Sequence, residues 1–252
     1  MKFGLIVPQG WREDLPGRDF ETMVAVAQAA ERLGFDSIWL YDHLQTRAGD
    51  PDAVLECWTS LAALARETTQ VRLGQIVTCA LYRNPGLLAQ MASTVDAASG
   101  GRVTVGVGAG WDEREYREFG YGDELPAVRE RLAHLELTLR VLRERTRLPI
   151  LVGGAGEKVL LRLVAEHADA CNFTDSFDPA FYAHKLDVLR RHCDTVGREY
   201  DAIAKTASFT VTADVDPGVF AAIAETGIET FVVYVDPPAD LGALERFAAS
   251  VL

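Results

Sequence analysis

Residues 19–44 read DFETMVAVAQAAERLGFDSIWLYDHL, and the order of their parts decides the fold. Met23, Val26, Ala27, Ala30 and Leu33 recur at the spacing of one helix face, and Gly34 stands where a C-cap glycine belongs. Ile38, Trp39 and Leu40 then form a short unbroken apolar run, the pattern of a strand buried on both faces. That run breaks off into Asp42 and His43, an acid and an imidazole at the end of an apolar strand.

The same alternation fills the chain. Strand-like runs occupy residues 2–7, 37–41, 71–77, 103–108, 149–153, 169–173, 204–211 and 230–235, and amphipathic stretches such as ERLAHLELTLRVLRER and FYAHKLDVLRRHCDTVG lie between them. Eight apolar runs, each followed by a helical pattern, require parallel pairing with both sheet faces covered. In a chain of 252 residues with no Ser/Gly/Pro-rich linker, this predicts the α/β class and one (β/α)₈ TIM barrel domain over residues 1–252.

A composition of 48% hydrophobic and 25% charged residues is enough for one large core. The formal charge of −12 argues against nucleic acid or an anionic membrane as partner, because nothing there would displace counterions from phosphates. The apolar run in MKFGLIVPQG is shorter than a signal-peptide core, so a cytoplasmic location is expected. Cys57, Cys79, Cys171 and Cys193 lie far apart, without a CxxC or a histidine at metal spacing. They read as reduced, buried, small hydrophobes, and no metal site is expected.

In a (β/α)₈ barrel the loops after the strand C-termini form the active face. Asp42 and His43 sit there. The fourth run leads into GVGAGWDEREYREFGY, whose glycines would let a ligand approach the backbone, and the fifth leads into VGGAGEKV, whose glycines precede a helix N-terminus suited to a phosphate. In the third run Gly74 suggests a bulge or a close approach, Gln75 and Thr78 need polar partners, and Asn84-Pro85 starts a helix. A planar, polar-edged ligand across the barrel mouth would supply those partners. Asn172, Thr174 and Asp175 follow the sixth run on the same face, whereas His134, His167, His184 and His192 fall on helices and read as surface or packing residues.

Taken together, GFDSIWLYDHL, VTCALYRNPGLLAQMASTVDAASGGR, VGVGAGWDEREYREFG and PILVGGAGEK with ADACNF resemble the luciferase-like superfamily of flavin and deazaflavin oxidoreductases, in particular its coenzyme-F420-dependent branch. The resemblance covers residues 1 to about 211. It implies hydride transfer between F420 and a small organic substrate of unsaturated or carbonyl type, with His43 as acid/base. It also implies that Asp42, Thr78 and the bulge at Gln75-Ile76 contact the ring, Gly108, Ala109 and Gly110 the phosphate or its ribityl neighbour, and Gly153, Gly154, Ala155 and Gly156 the phosphate. A non-proline cis peptide at Gln75-Ile76 and a homodimer are further implications. Trp111, Arg47 and Cys79 are the candidates for substrate contact, and Arg47, Arg83, Arg114 and Lys158 for the anionic tail of F420.

Two departures stand out. Trp111 and Arg47 occupy places where the family's sugar-phosphate dehydrogenases carry a glutamate and a tryptophan, which disfavours sugar-phosphate oxidation. The segment from the seventh to the eighth strand is also shorter than the family's usual one. FMN as cofactor of a monooxygenase or reductase is the alternative, and a non-catalytic flavin or deazaflavin binder the second.

Overall fold

The computed structural model describes every residue except 16, 17 and 175. Its strands are β1 (Lys2–Ile6), β2 (Ser37–Leu40), β3 (Arg72–Gln75), β4 (Thr78–Cys79), β5 (Val103–Gly108), β6 (Ile150–Gly153), β7 (Ala170–Thr174), β8 (Ala204–Thr212) and β9 (Thr230–Asp236). All pair in parallel, in the order β3-β2-β1-β9-β8-β7-β6-β5-β4, and a further pairing of β3 with β5 closes the barrel. β3 and β4 are one stave interrupted at residues 76–77, so nine strands make eight staves. The expected unbroken run over 71–77 is corrected to this split stave.

The helices are α1 (Phe20–Leu33), α2 (Cys57–Glu67), α3 (Pro85–Ser99), α4 (Glu113–Glu118), α5 (Val128–Arg145), α6 (Leu160–His167), α7 (Pro179–Val196), α8 (Gly218–Ala224) and α9 (Leu241–Val251). Their ends follow local chemistry. Asp19 caps α1 through Thr22 N, and Gly34 ends it at φ 93°, a conformation glycine adopts without steric cost. Asn84 accepts from Gly86 N and Leu87 N while Pro85 opens α3, where the missing N–H costs nothing. No helix among the described residues is long and apolar enough to cross a membrane.

Strand alternation sorts the core into two layers. Leu5, Ile38, Leu73, Val105 and Val233 face the helices, whereas Ile6, Trp39, Ile76, Leu151, Val232 and Tyr234 fill the barrel interior. Trp39 explains Gly74: a Cβ there would lie 2.4 Å from the indole. The four cysteines are free and buried.

The interruption of the third stave positions the site. From Gly74 to Thr78 the stave advances four residues, while its partner advances three, from Thr104 to Val107. The extra residue is a β-bulge, which bends a strand and re-aims its side chains. The cis peptide lies at Ile76-Val77, one residue beyond the expected Gln75-Ile76. Three glycines admit the bulge: a Cβ at Gly106 would lie 1.8 Å from Gln75 O, one at Gly108 2.7 Å from Val77 Cγ2, and one at Gly153 2.9 Å from Val77 Cγ1. Part of the glycine content read as ligand clearance therefore serves the neighbouring stave.

Candidate active site

β2 ends at Leu40, and the chain then sets Asp42 and His43 at the barrel mouth in two different environments. Asp42 is buried and fully engaged: Arg83 donates to both of its oxygens at 2.5 and 2.8 Å, and Cys79 N donates at 2.9 Å. Arg83 also reaches Glu56 at 2.5 Å, and Glu56 caps α2 through Thr59 N. Burial raises the Asp42 carboxyl against the pull of Arg83, and the carboxylate in turn raises the Arg83 guanidinium. A two-bond fork of this kind fixes the relative orientation of the two side chains. Arg83, expected at an anionic tail, is thus committed to Asp42 and Glu56.

His43 is held on two sides. Its Nδ1 lies 3.1 Å from both oxygens of Glu115, and its ring stacks on Trp11 at a centroid distance of 4.0 Å and an interplanar angle of 6°. Trp111 meets it edge-on at 5.4 Å. Glu115 also accepts from Leu44 N at 3.0 Å and from the Tyr82 hydroxyl at 3.0 Å. Burial pushes the Glu115 carboxyl up, but the bonds from His43, Leu44 and Tyr82 outweigh it and hold the group below the usual carboxylate range. An ionised Glu115 fixes Nδ1 as the protonated nitrogen and leaves Nε2, which has no partner among the described residues, for proton exchange.

Sequence reading overlooked Glu115. Its local signal is Asp112, which caps α4 by accepting from Glu115 N at 3.0 Å, with an acid three residues after the cap. That spacing reveals a helix start but not that the third residue turns inward to His43, a residue 72 positions away. His43, Asp112 and Glu115 bring potential ligand atoms within 4.8 Å of one another, yet the Glu115 oxygens and the Asp112 cap are already occupied by protein donors.

A cleft of about 460 Å³ opens at this mouth, within the usual size of small-ligand sites. Asp42, His43, Arg47, Ile76, Cys79, Gly108, Ala109, Gly110, Trp111, Gly153 and Gly154 line it, as do Asn172 and Thr174. Asp175 lies outside the described residues. Trp11, Arg12, Tyr82, Glu115, Ser208 and Thr210 join them without having been singled out in the sequence. Burial, opposed by backbone bonds from Leu81 and Tyr82, pushes the Cys79 thiol up to about 12, so it is neutral in the cleft.

Gln75 and Thr78 do not line the cleft. Both are fully buried, and Thr78 Oγ1 accepts from Trp58 Nε1 of α2 at 3.1 Å, so the partner expected from a ligand comes from a helix instead. Gln75 shares the parity of Leu73, the helix-facing side of the stave. The bulge presents Ile76 and Val77 in their place. Beyond β6, Gly154 N donates to Asn172 O, whereas the amides of Ala155, Gly156 and Glu157 have no acceptor among the described residues. Ala155 and Gly156 sit beside the cleft rather than in its wall.

A closed parallel barrel with a clamped histidine and a cleft of small-ligand size at its strand C-termini defines a class by fold and site geometry: (β/α)₈ barrels with their cleft on the face where this fold carries active sites. The profile of the luciferase-like monooxygenases matches residues 1–249, and the chain belongs to that family. It is 25% identical over 235 residues to the F420-dependent glucose-6-phosphate dehydrogenase of Gordonia bronchialis, covering 82% of this chain and 69% of that one. It is 27% identical over 278 residues to the 5,10-methylenetetrahydromethanopterin reductase of Archaeoglobus fulgidus, covering 99% and 74%. Against other relatives it spans less of the partner's length: 53% of an F420-dependent glucose-6-phosphate dehydrogenase of Microbacterium testaceum and 36% of one from Amycolatopsis mediterranei. Among solved structures, an F420-dependent secondary alcohol dehydrogenase with an F420-acetone adduct superposes with a TM-score of 0.81 at 17% identity, over 99% of this chain and 98% of that one. At that identity the likeness establishes the fold.

Proposed function

We propose that this chain is an F420-dependent oxidoreductase that reduces or oxidises a small organic substrate of unsaturated or carbonyl type, with His43 as acid/base. The observation that carries the reading is the clamp on His43: an ionised Glu115 on Nδ1 and Trp11 against the ring face leave Nε2 as the nitrogen without a partner among the described residues. Named relatives that use F420 support the choice of cofactor.

The residues present fit such a cofactor. The bulge offers an apolar floor in Ile76 and Val77, on which a flat ring could lie, and Gly108, Ala109 and Gly110 give close access to backbone. The amides of Ala155, Gly156 and Glu157, without an acceptor among the described residues, suit a phosphate. When bound, F420 supplies two-electron hydride chemistry at a ring carbon. The protein's part is to orient that ring on the bulge, narrow the cleft with Trp11 and Trp111 against water, and hold a proton at His43 Nε2 for the substrate. Asp42 acts through Arg83 and Cys79 N, keeping the loop after β4 in register with His43.

Equilibrium binding of F420 and FMN to the purified protein tests the reading, with His43→Ala as a turnover control. Tighter binding of F420 than of FMN is expected, with retained F420 affinity but lost turnover in the variant. Binding of FMN alone would move the assignment to a flavin enzyme, and binding of neither would remove it.

A further inference from the structure

Two arginines line the cleft without an ion-pair partner among the described residues. Arg12, on the loop after β1, donates Nη1 to Thr210 Oγ1 at 2.9 Å and Nη2 to the Tyr41 hydroxyl at 3.1 Å, and it lies 4.3 Å over the Tyr234 ring. Its Nε has no acceptor among the described residues. Arg47, on the loop after β2, lies 4.6 Å over the Trp11 ring. Neither forms an ion pair among the described residues, in a chain with 37 acids against 25 Lys and Arg. The contrast with nearby cations is informative: Arg83 is closed by two carboxylates, and Arg114 is used on Thr46 O and Arg47 O.

Position separates these arginines from the glycine loops. Arg12 is anchored by Thr210 of β8, Tyr234 of β9 and Tyr41 after β2. The glycines that line the cleft end or follow β5 and β6, on the opposite arc of the barrel. A guanidinium carries five N–H donors, so Arg12 keeps three beyond the two it uses, and a cation in a partly desolvated cleft favours an anion. Trp11 and Tyr41 beside it are flat apolar surfaces.

We propose that Arg12 and Arg47 form an anion subsite for the substrate, and that the substrate class is a flat organic acid whose carboxylate they hold while its reacting end faces His43. The redox part of this statement rests on the function proposed above, whereas the recognition of a carboxylate does not.

The test uses benzoate and benzamide, two flat probes of matched size that differ in charge, titrated into the cofactor-free protein by calorimetry. Benzoate should bind at least about ten-fold more tightly than benzamide, and Arg12→Met and Arg47→Met should each weaken benzoate by about ten-fold while leaving benzamide and F420 within about two-fold. Arg47 is on the exposed rim, so its variant keeps the test sound if Arg12→Met melts early. Equal binding of the two probes by the wild-type protein overturns the proposal. So does a loss confined to F420, which would assign the arginines to the cofactor. Preference for benzoate without any F420 binding would uphold the subsite and overturn the redox reading alone.

Discussion

Glu115 gathers a ring nitrogen, a backbone amide and a phenol onto one buried carboxylate, and its charge is what gives His43 a defined tautomer. Glu115→Gln keeps the volume but offers His43 Nδ1 and the Leu44 amide only a neutral partner. We expect kcat to fall at least about ten-fold with F420 affinity unchanged. His43→Ala removes the proposed acid/base and should cost about 10²-fold or more; both follow from steady-state kinetics beside a cofactor titration. Stability carries a pH signature of Glu115. Burial pushes its pKa up, but the bonds from His43, Leu44 and Tyr82 hold the folded-state value below that of the unfolded chain, so its contribution is complete above the unfolded value and disappears as pH falls through the lowered one. Denaturant melts from about pH 6 down to about pH 3 should show a steep acid limb in the wild-type protein and a shallower one in Glu115→Gln.

At the scale of elements, the third stave and the loops around it form one mechanical unit. Gly106 has no room for a side chain, since a Cβ would lie 1.8 Å from Gln75 O, a backbone atom that cannot step aside. Gly106→Ala should destabilise the fold by about 3 kcal/mol or more, read as a large fall in melting temperature. Arg83→Met leaves Asp42 as a buried carboxylate with only the Cys79 amide, and a loss of about 3–5 kcal/mol is expected in the same assay. Legibility in the sequence ran unevenly through this unit. Asn84-Pro85 announced a helix start, because a cap depends on chain neighbours, whereas Gly74, read as a bulge or a close approach, is a close approach to Trp39 of the adjacent stave. The side-chain parity of Thr78 was not legible, because one extra residue in a strand reverses which side chains face the cleft, whereas Gln75 keeps the helix-facing parity of Leu73.

For the whole molecule, a ligand that binds only the folded barrel must stabilise it. F420 at about 100 times its Kd should add about 2.7 kcal/mol, seen as a shift in the denaturation midpoint, with FMN at the same concentration giving less. The barrel itself was readable from residues 19–44 onward, because eight apolar runs alternating with amphipathic helices admit few other closed arrangements. His43 at the end of β2 was readable too, because the fold places strand C-termini at the active face. Strand period, helix caps and the order of elements are local properties, and the sequence by itself determined them. Tertiary structure alone decided that Glu115, Trp11 and Arg12 converge on the mouth around His43, and that Asp42 faces Arg83. Those meetings join residues from different loops, and only closure of the barrel, with β3 and β4 both paired to β5, brings those loops together.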